Sequence, residues 1–115
     1  MGPVALSYAI SKAALDQLTR SLALDLAPKQ VRVNSVNPAI IATNMIYRSE
    51  TKEMAEKFLK KTASGYPLGR VGQPEEVAKA IAFLASSESS FSTGVLLKLD
   101  AGVQLDTRVA ATDYE

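Results

Sequence analysis

Two short stretches of this chain have strand character, and the sequence between them is patterned for helix and turn. Val31-Arg32-Val33-Asn34-Ser35-Val36-Asn37 is rich in β-branched residues and ends at Pro38, while Val95, Leu97 and Leu99 alternate with polar or outward positions. Strands separated by helices cannot close a hairpin, so these two are expected to run parallel. A parallel pair is normally buried on both faces inside a larger sheet, and two strands are too few to make one. The pattern therefore describes the closing portion of a doubly wound α/β fold, with two parallel strands and the first half missing.

Three helices are expected around those strands. Ile10, Ala14, Leu18, Leu22 and Leu26 recur every four positions from Tyr8 to Ala27, Leu15 and Ala23 widen the stripe, and Pro28 ends it. A shorter helix is expected from about Ser49 to Lys61, because Glu50 and Glu53 lead it and Lys60 and Lys61 close it, the charge order a helix dipole favours. Pro74 suits the first position of a third helix, with Glu75 and Glu76 in its first turn and Val77, Ile81 and Leu84 as its stripe. Residues 38–48 read as a loop, Ser86 to Ser90 as a polar linker, and 104–115 as a polar tail after a single domain portion spanning 1–103.

The 115 residues include no Cys and no His, which removes thiol nucleophiles, Ser/His/Asp triads, disulfides and His- or Cys-based zinc sites. No metal site is expected. With 13 Lys+Arg against 12 Asp+Glu, the chain has no electrostatic footprint for nucleic acid. Its longest apolar run, Ala80 to Ala85, is far below the ~20 residues of a membrane span. Met1 to Leu6 carries no basic n-region, and Leu6 stands where myristoylation requires Ser or Thr, so a cytoplasmic protein is expected.

The acids and bases left are Asp, Glu, Lys and the tyrosines Tyr8, Tyr47, Tyr66 and Tyr114. Tyr8 and Lys12 lie four apart on one face of the first helix, where both can reach a common point. A phenol is a poor acid or base near neutral pH, but a neighbouring ammonium favours its phenolate. The spacing also arises by chance in many chains, so the pair alone decides little.

Ser7-Tyr8-Ala9-Ile10-Ser11-Lys12-Ala13-Ala14, followed by Val31 to Pro38, resembles the second half of a short-chain dehydrogenase/reductase. The resemblance continues through Gly69-Arg70-Val71-Gly72-Gln73-Pro74-Glu75-Glu76-Val77-Ala78 and on to Thr93-Gly94 and Asp100-Ala101-Gly102, and it is greatest to the 3-oxoacyl reductase and carbonyl reductase types. It implies a Rossmann-type oxidoreductase using NAD or NADP, a small-molecule carbonyl or alcohol substrate, and a homo-oligomer. Tyr8 would exchange a proton with the substrate oxygen, and Lys12 would assist it and bind the nicotinamide ribose. Pro38, Ile41 and Thr43 would line the nicotinamide and its carboxamide, Ile41 through its backbone. Ser11 reads as a helix-surface residue.

Three departures from the family pattern stand out. No Gly-rich turn between a first strand and a first helix precedes Pro3, so the pyrophosphate cradle is absent. The family's catalytic Ser lies upstream of the Tyr, and Ser7 cannot replace it; a structural Asn of the proton relay is missing as well. Ala39 stands where the family usually has Gly, at a cost of about 1 kcal/mol if that position needs a positive φ and little otherwise. Met45, Ile46, Tyr47, Met54 and Phe58 fall in the segment resembling a substrate lid, with ordinary helix core as the competing reading. Glu75 and Glu76 read as dipole partners, and Lys52, Lys57, Lys60 and Lys61 as a solvated face.

The expected function is thus a partial NAD(P)-dependent oxidoreductase interconverting a carbonyl and an alcohol, inactive as this chain alone. The alternative is a non-catalytic self-association module derived from that fold.

Overall fold

The computed structural model describes residues 3–49 and 51–105. Its elements in chain order are α1 (Pro3–Leu26), β1 (Ser35–Pro38), α2 (Asn44–Ser49), α3 (Lys52–Gly65), α4 (Pro74–Ala85) and β2 (Leu96–Leu99). Single 3-10 turns sit at Ala27–Lys29, Ser87–Ser89 and Val103–Leu105. β1 and β2 form a two-stranded sheet. The N–H groups of Ser35 and Ala39 donate to the carbonyls of Val95 and Leu99, so the pairing advances in the same direction along both segments and is parallel. By the two-residue alternation of a strand, the nitrogen of Pro38 faces away from β2, where its missing N–H costs the pair nothing. Among the described residues, no helix is long and apolar enough to cross a membrane.

Two compact units make up the chain: Met1–Val36 with Ile81–Leu97, and Asn37–Ala80 with Lys98–Glu115. In the first, α1 begins at Pro3, where an imino acid suits the start of a helix, rather than at Tyr8. It ends at Leu26, and Pro28 forces a 3-10 turn that Gln30 closes in the left-handed region at φ 60°. The strand expected from Val31 starts only at Ser35: Val31 N–H turns back to Leu26 C=O, and beyond it side chains of either segment take over part of the pairing. Thr93 Oγ1 accepts from Val33 N–H at 3.1 Å. The Asn34 amide donates to Ser92 C=O at 3.1 Å and accepts from Val95 N–H at 2.9 Å. The Arg32 guanidinium donates to Ser86 C=O, Ser89 Oγ and Ser92 C=O at 2.9–3.2 Å, tying off the segment that follows α4. The buried residues of this unit are Thr19, Ala23, Leu84 and Ser89, while the large apolar side chains Leu6, Ile10, Leu15, Leu18 and Leu24 of α1 stay exposed.

In the second unit, α3 packs Ala55 and Leu59 inward and leaves Met54 and Phe58 largely exposed. Its start is fixed by Thr51, whose side chain accepts from Met54 N–H at 3.3 Å, not by Ser49. It runs on to Gly65, so Lys60 and Lys61 lie inside the helix and its last turn carries no basic residue; the charge-order reading of its end was too short. The stretch 38–48 is likewise not all loop, for α2 occupies Asn44–Ser49 and gives four α-helices among the described residues rather than three. Six residues are too few to show a periodic stripe. The start at Pro74 is as expected. Near the end, Asp100 Oδ1 accepts from Gly102 N–H at 3.1 Å, and Ala101 sits at φ 54° while its carbonyl accepts from Leu68 N–H at 3.2 Å. Of the tail expected from residue 104, Gln104 and Leu105 complete a 3-10 turn, and 106–115 lie outside the described residues.

Candidate functional site

Tyr8 and Lys12 stand one helical turn apart on α1, and the ammonium lies over the phenol ring, 5.6 Å from its centroid. Such a cation–π contact in water contributes roughly 0.5–1 kcal/mol and holds the two side chains side by side. The ring is 63% exposed, so its hydroxyl is open to a bound molecule. Ser11 donates its hydroxyl to Tyr8 C=O at 2.7 Å, a local helix-surface bond that fits its bland reading.

Pro38, Ile41 and Thr43 belong to the other unit, along the connection from β1 to α2. Ala39 donates to Leu99 C=O at 3.0 Å, and its φ is not positive, so the residue standing for the family's Gly carries no left-handed strain. Ile41 forms an isolated parallel bridge with Gly72. Gly72 N–H donates to Ile40 C=O at 3.1 Å and Ala42 N–H to Gly72 C=O at 2.9 Å. In a parallel bridge the neighbours of the bridged residue make the bonds, so the N–H and C=O of Ile41 itself point to the opposite edge. One donor and one acceptor side by side there match the hydrogen-bonding needs of a carboxamide. A Cβ at Gly72 would meet the Cδ1 end of the Ile41 side chain, which would have to turn aside.

Sequence reasoning missed a third support of this loop. Tyr66, at the end of α3, accepts from Ile40 N–H through its hydroxyl at 3.1 Å. It was visible only as one tyrosine of four, and no local pattern marks a contact between residues so far apart in the chain. The residues of the segment resembling a lid divide: Met45, Tyr47, Met54 and Phe58 are exposed, against the ordinary-core reading for these four, and Ile46 is half-buried. Lys52, Lys57, Lys60 and Lys61 are exposed, as a solvated face requires.

Glu76 does more than complement a helix dipole. It accepts from both guanidinium nitrogens of Arg70 at 2.7 and 2.9 Å and from Gln73 N–H at 3.0 Å, the return half of a capping box at the start of α4. These bonds, the Arg70 pair first, hold its carboxyl down to about 2 from the usual 4.5. The depressed value means that this ion pair favours the folded state above about pH 4.5 and that the benefit fades as pH falls from 4.5 towards 2. In an NMR titration the Glu76 side-chain carbonyl carbon should have its midpoint near 2, moving up towards 4.5 in Arg70→Gln. A midpoint near 4.5 in the parent chain would show that the pair does not form in solution.

The family model described as enoyl-(acyl carrier protein) reductase matches residues 1–104. The chain belongs to the short-chain dehydrogenase/reductase family. It is 44% identical over 97 residues to the 3-oxoacyl-[acyl-carrier-protein] reductase of Thermotoga maritima, covering 84% of this chain and 37% of that protein. It is 46% identical over 105 residues to the 4-formylbenzenesulfonate dehydrogenase of Comamonas testosteroni, covering 88% and 40%. Among solved structures, the ligand-free aldohexose dehydrogenase of Thermoplasma acidophilum superposes with a TM-score of 0.83 at 38% identity, covering 92% of this chain and 44% of that one. A short-chain dehydrogenase/reductase of Caenorhabditis elegans, solved with cofactor, gives 0.83 at 40% identity, covering 92% and 41%. The chain therefore spans about two fifths of the length of these short-chain dehydrogenase/reductase relatives, and its two-stranded α/β architecture is a part of their Rossmann-type fold.

Proposed function

We propose that this chain supplies the carboxy-terminal, nicotinamide-facing part of an NAD(P)-dependent oxidoreductase that interconverts a carbonyl and an alcohol, and that it is inactive by itself. The observation that carries the reading is the exposed Tyr8 phenol with the Lys12 ammonium across its ring. When bound, the dinucleotide supplies the hydride that reaches the carbonyl carbon. The Tyr8 hydroxyl gives its proton to the carbonyl oxygen in reduction and takes one back in oxidation. Lys12 donates to ribose hydroxyls. Ile41 presents its backbone N–H and C=O to the carboxamide, and Pro38 and Thr43 flank it. Each feature supports its own part of the reading: the Ile41 bridge leaves one edge of the loop to a carboxamide, and Tyr8 is exposed. Exposed Met45, Met54 and Phe58 favour an apolar substrate. The test is to join the chain behind the amino-terminal part of the Thermotoga maritima reductase and assay NADH and NADPH oxidation with a 3-oxoacyl thioester and a diketone. Turnover supports the reading, and a folded joined protein without it counts against it.

A second reading rests on α1, where Ile10 and Leu18 are 60% and 52% exposed. Apolar residues left open along one helix favour self-association at cytoplasmic concentrations, with or without catalysis. Sedimentation at micromolar concentration should show a dimer or larger species, and a monodisperse folded monomer would contradict this.

A further inference from the structure

Tyr66 sits at the junction between the helix proposed as a substrate lid and the loop proposed to hold the nicotinamide carboxamide. Its backbone N–H closes the end of α3 on Ala63 C=O at 3.1 Å, its C=O accepts from Gly69 N–H at 2.8 Å, and its hydroxyl takes the Ile40 N–H. All these residues lie in one unit. The Ile40 N–H, part of the peptide that joins Ala39 to Ile40, is spent on Tyr66, while the Ile40 carbonyl and the Ala42 N–H, part of the two peptides that flank Ile41, are spent on Gly72. Tyr66 and Gly72 thus anchor three successive peptide groups around Ile41.

We propose that Tyr66 is a positioning residue: through its hydroxyl it holds the 38–43 loop in the conformation that offers the Ile41 backbone to the cofactor carboxamide, and it ties that offer to the end of α3. This deepens the proposed function and rests on it. The hydroxyl acts as an acceptor on the backbone and does not touch substrate. Its ring lines an open cavity of about 330 Å³ with Leu68, Leu99 and Gly102, a space that Phe fills equally well.

The Tyr66→Phe variant removes the acceptor and keeps the ring, and two measurements read its effect. In the chain as given, hydrogen exchange at the Ile40 amide should quicken several-fold to about tenfold, as expected for one lost hydrogen bond, with Ala42 and Gly72 following and α1 amides unchanged. In the joined protein, the KM for NAD(P)H should rise about fivefold while kcat holds within a factor of two. The parent should also discriminate against the 3-acetylpyridine dinucleotide, which lacks the carboxamide NH2 that Ile41 C=O would accept, and Tyr66→Phe should narrow that discrimination. A merely structural tyrosine would not change the preference between two cofactors. Unchanged Ile40 exchange overturns the proposal, as does faster exchange with both KM and discrimination unmoved in an active joined protein. A joined protein without Tyr8-dependent turnover, yet with fast Ile40 exchange in the variant, instead locates the failure in the functional reading.

Discussion

Tyr8→Phe in the joined protein should lose about 100-fold or more of its turnover while the cofactor KM stays within a factor of about two, because a positioned general acid typically contributes that much. The substitution deletes the transferable proton and keeps the ring over which the Lys12 ammonium sits. Nothing in the packing depends on the hydroxyl, since the side chain is 63% exposed, so the fold should be retained. Lys12→Ala differs in kind: it removes both the cation beside the phenol and a donor to the ribose, so kcat and KM should both suffer. If Tyr8→Phe kept activity within a few-fold of the parent, the proton would have to come from elsewhere. With no His and no Cys in the chain, and with Tyr47 the one other phenol in the proposed lid, candidates are few.

The second large effect concerns the chain alone, which should show no saturable NADPH binding at micromolar concentration and no carbonyl reduction. Pyrophosphate is normally held by Gly-rich backbone at a helix N-terminus, and this sequence offers no such turn. The residues proposed for the cofactor, Tyr8, Lys12, Pro38, Ile41 and Thr43, would each meet only its nicotinamide end. The family's upstream Ser donor is also outside this sequence, and losing one such donor typically costs ~100-fold or more in rate. Joining the chain to the amino-terminal part of its relative should restore both binding and turnover. Micromolar affinity in the chain alone, or turnover that disappears in Tyr8→Phe, would mean that other residues here complete the site.

How far the sequence reached depended on how local each feature is. Pro74 with two glutamates behind it placed the start of α4, and a four-residue stripe placed α1, because capping and periodicity are written in adjacent residues. The parallel pairing followed from chain order alone. By contrast, the stretch from Val31 to Asn34, with β-branched Val31 and Val33, still stays out of the strand, because the Thr93 hydroxyl and the Asn34 amide take the place of some backbone partners between segments far apart in the chain. Tyr8 and Lys12 were legible since helix geometry fixes their proximity. Tyr66 was not: its hydroxyl meets Ile40 N–H across 26 residues, a contact made by the fold rather than by spacing. Gly72 belongs to a local motif, but its bridge to Ile41 joins residues far apart in the chain and no spacing announces it.

The central claim is that the Tyr8 hydroxyl is the group whose proton moves. Replacing Tyr8 with a fluorinated tyrosine changes the acidity of that hydroxyl and almost nothing else about its size or place. The most direct measurement is the pH profile of kcat/KM in the joined protein with tyrosine and with fluorotyrosine at residue 8. If Tyr8 is the general acid/base, one limb of the profile should shift to lower pH with fluorination, in step with the more acidic phenol. A profile that does not move, in a protein that still turns over, would contradict the account.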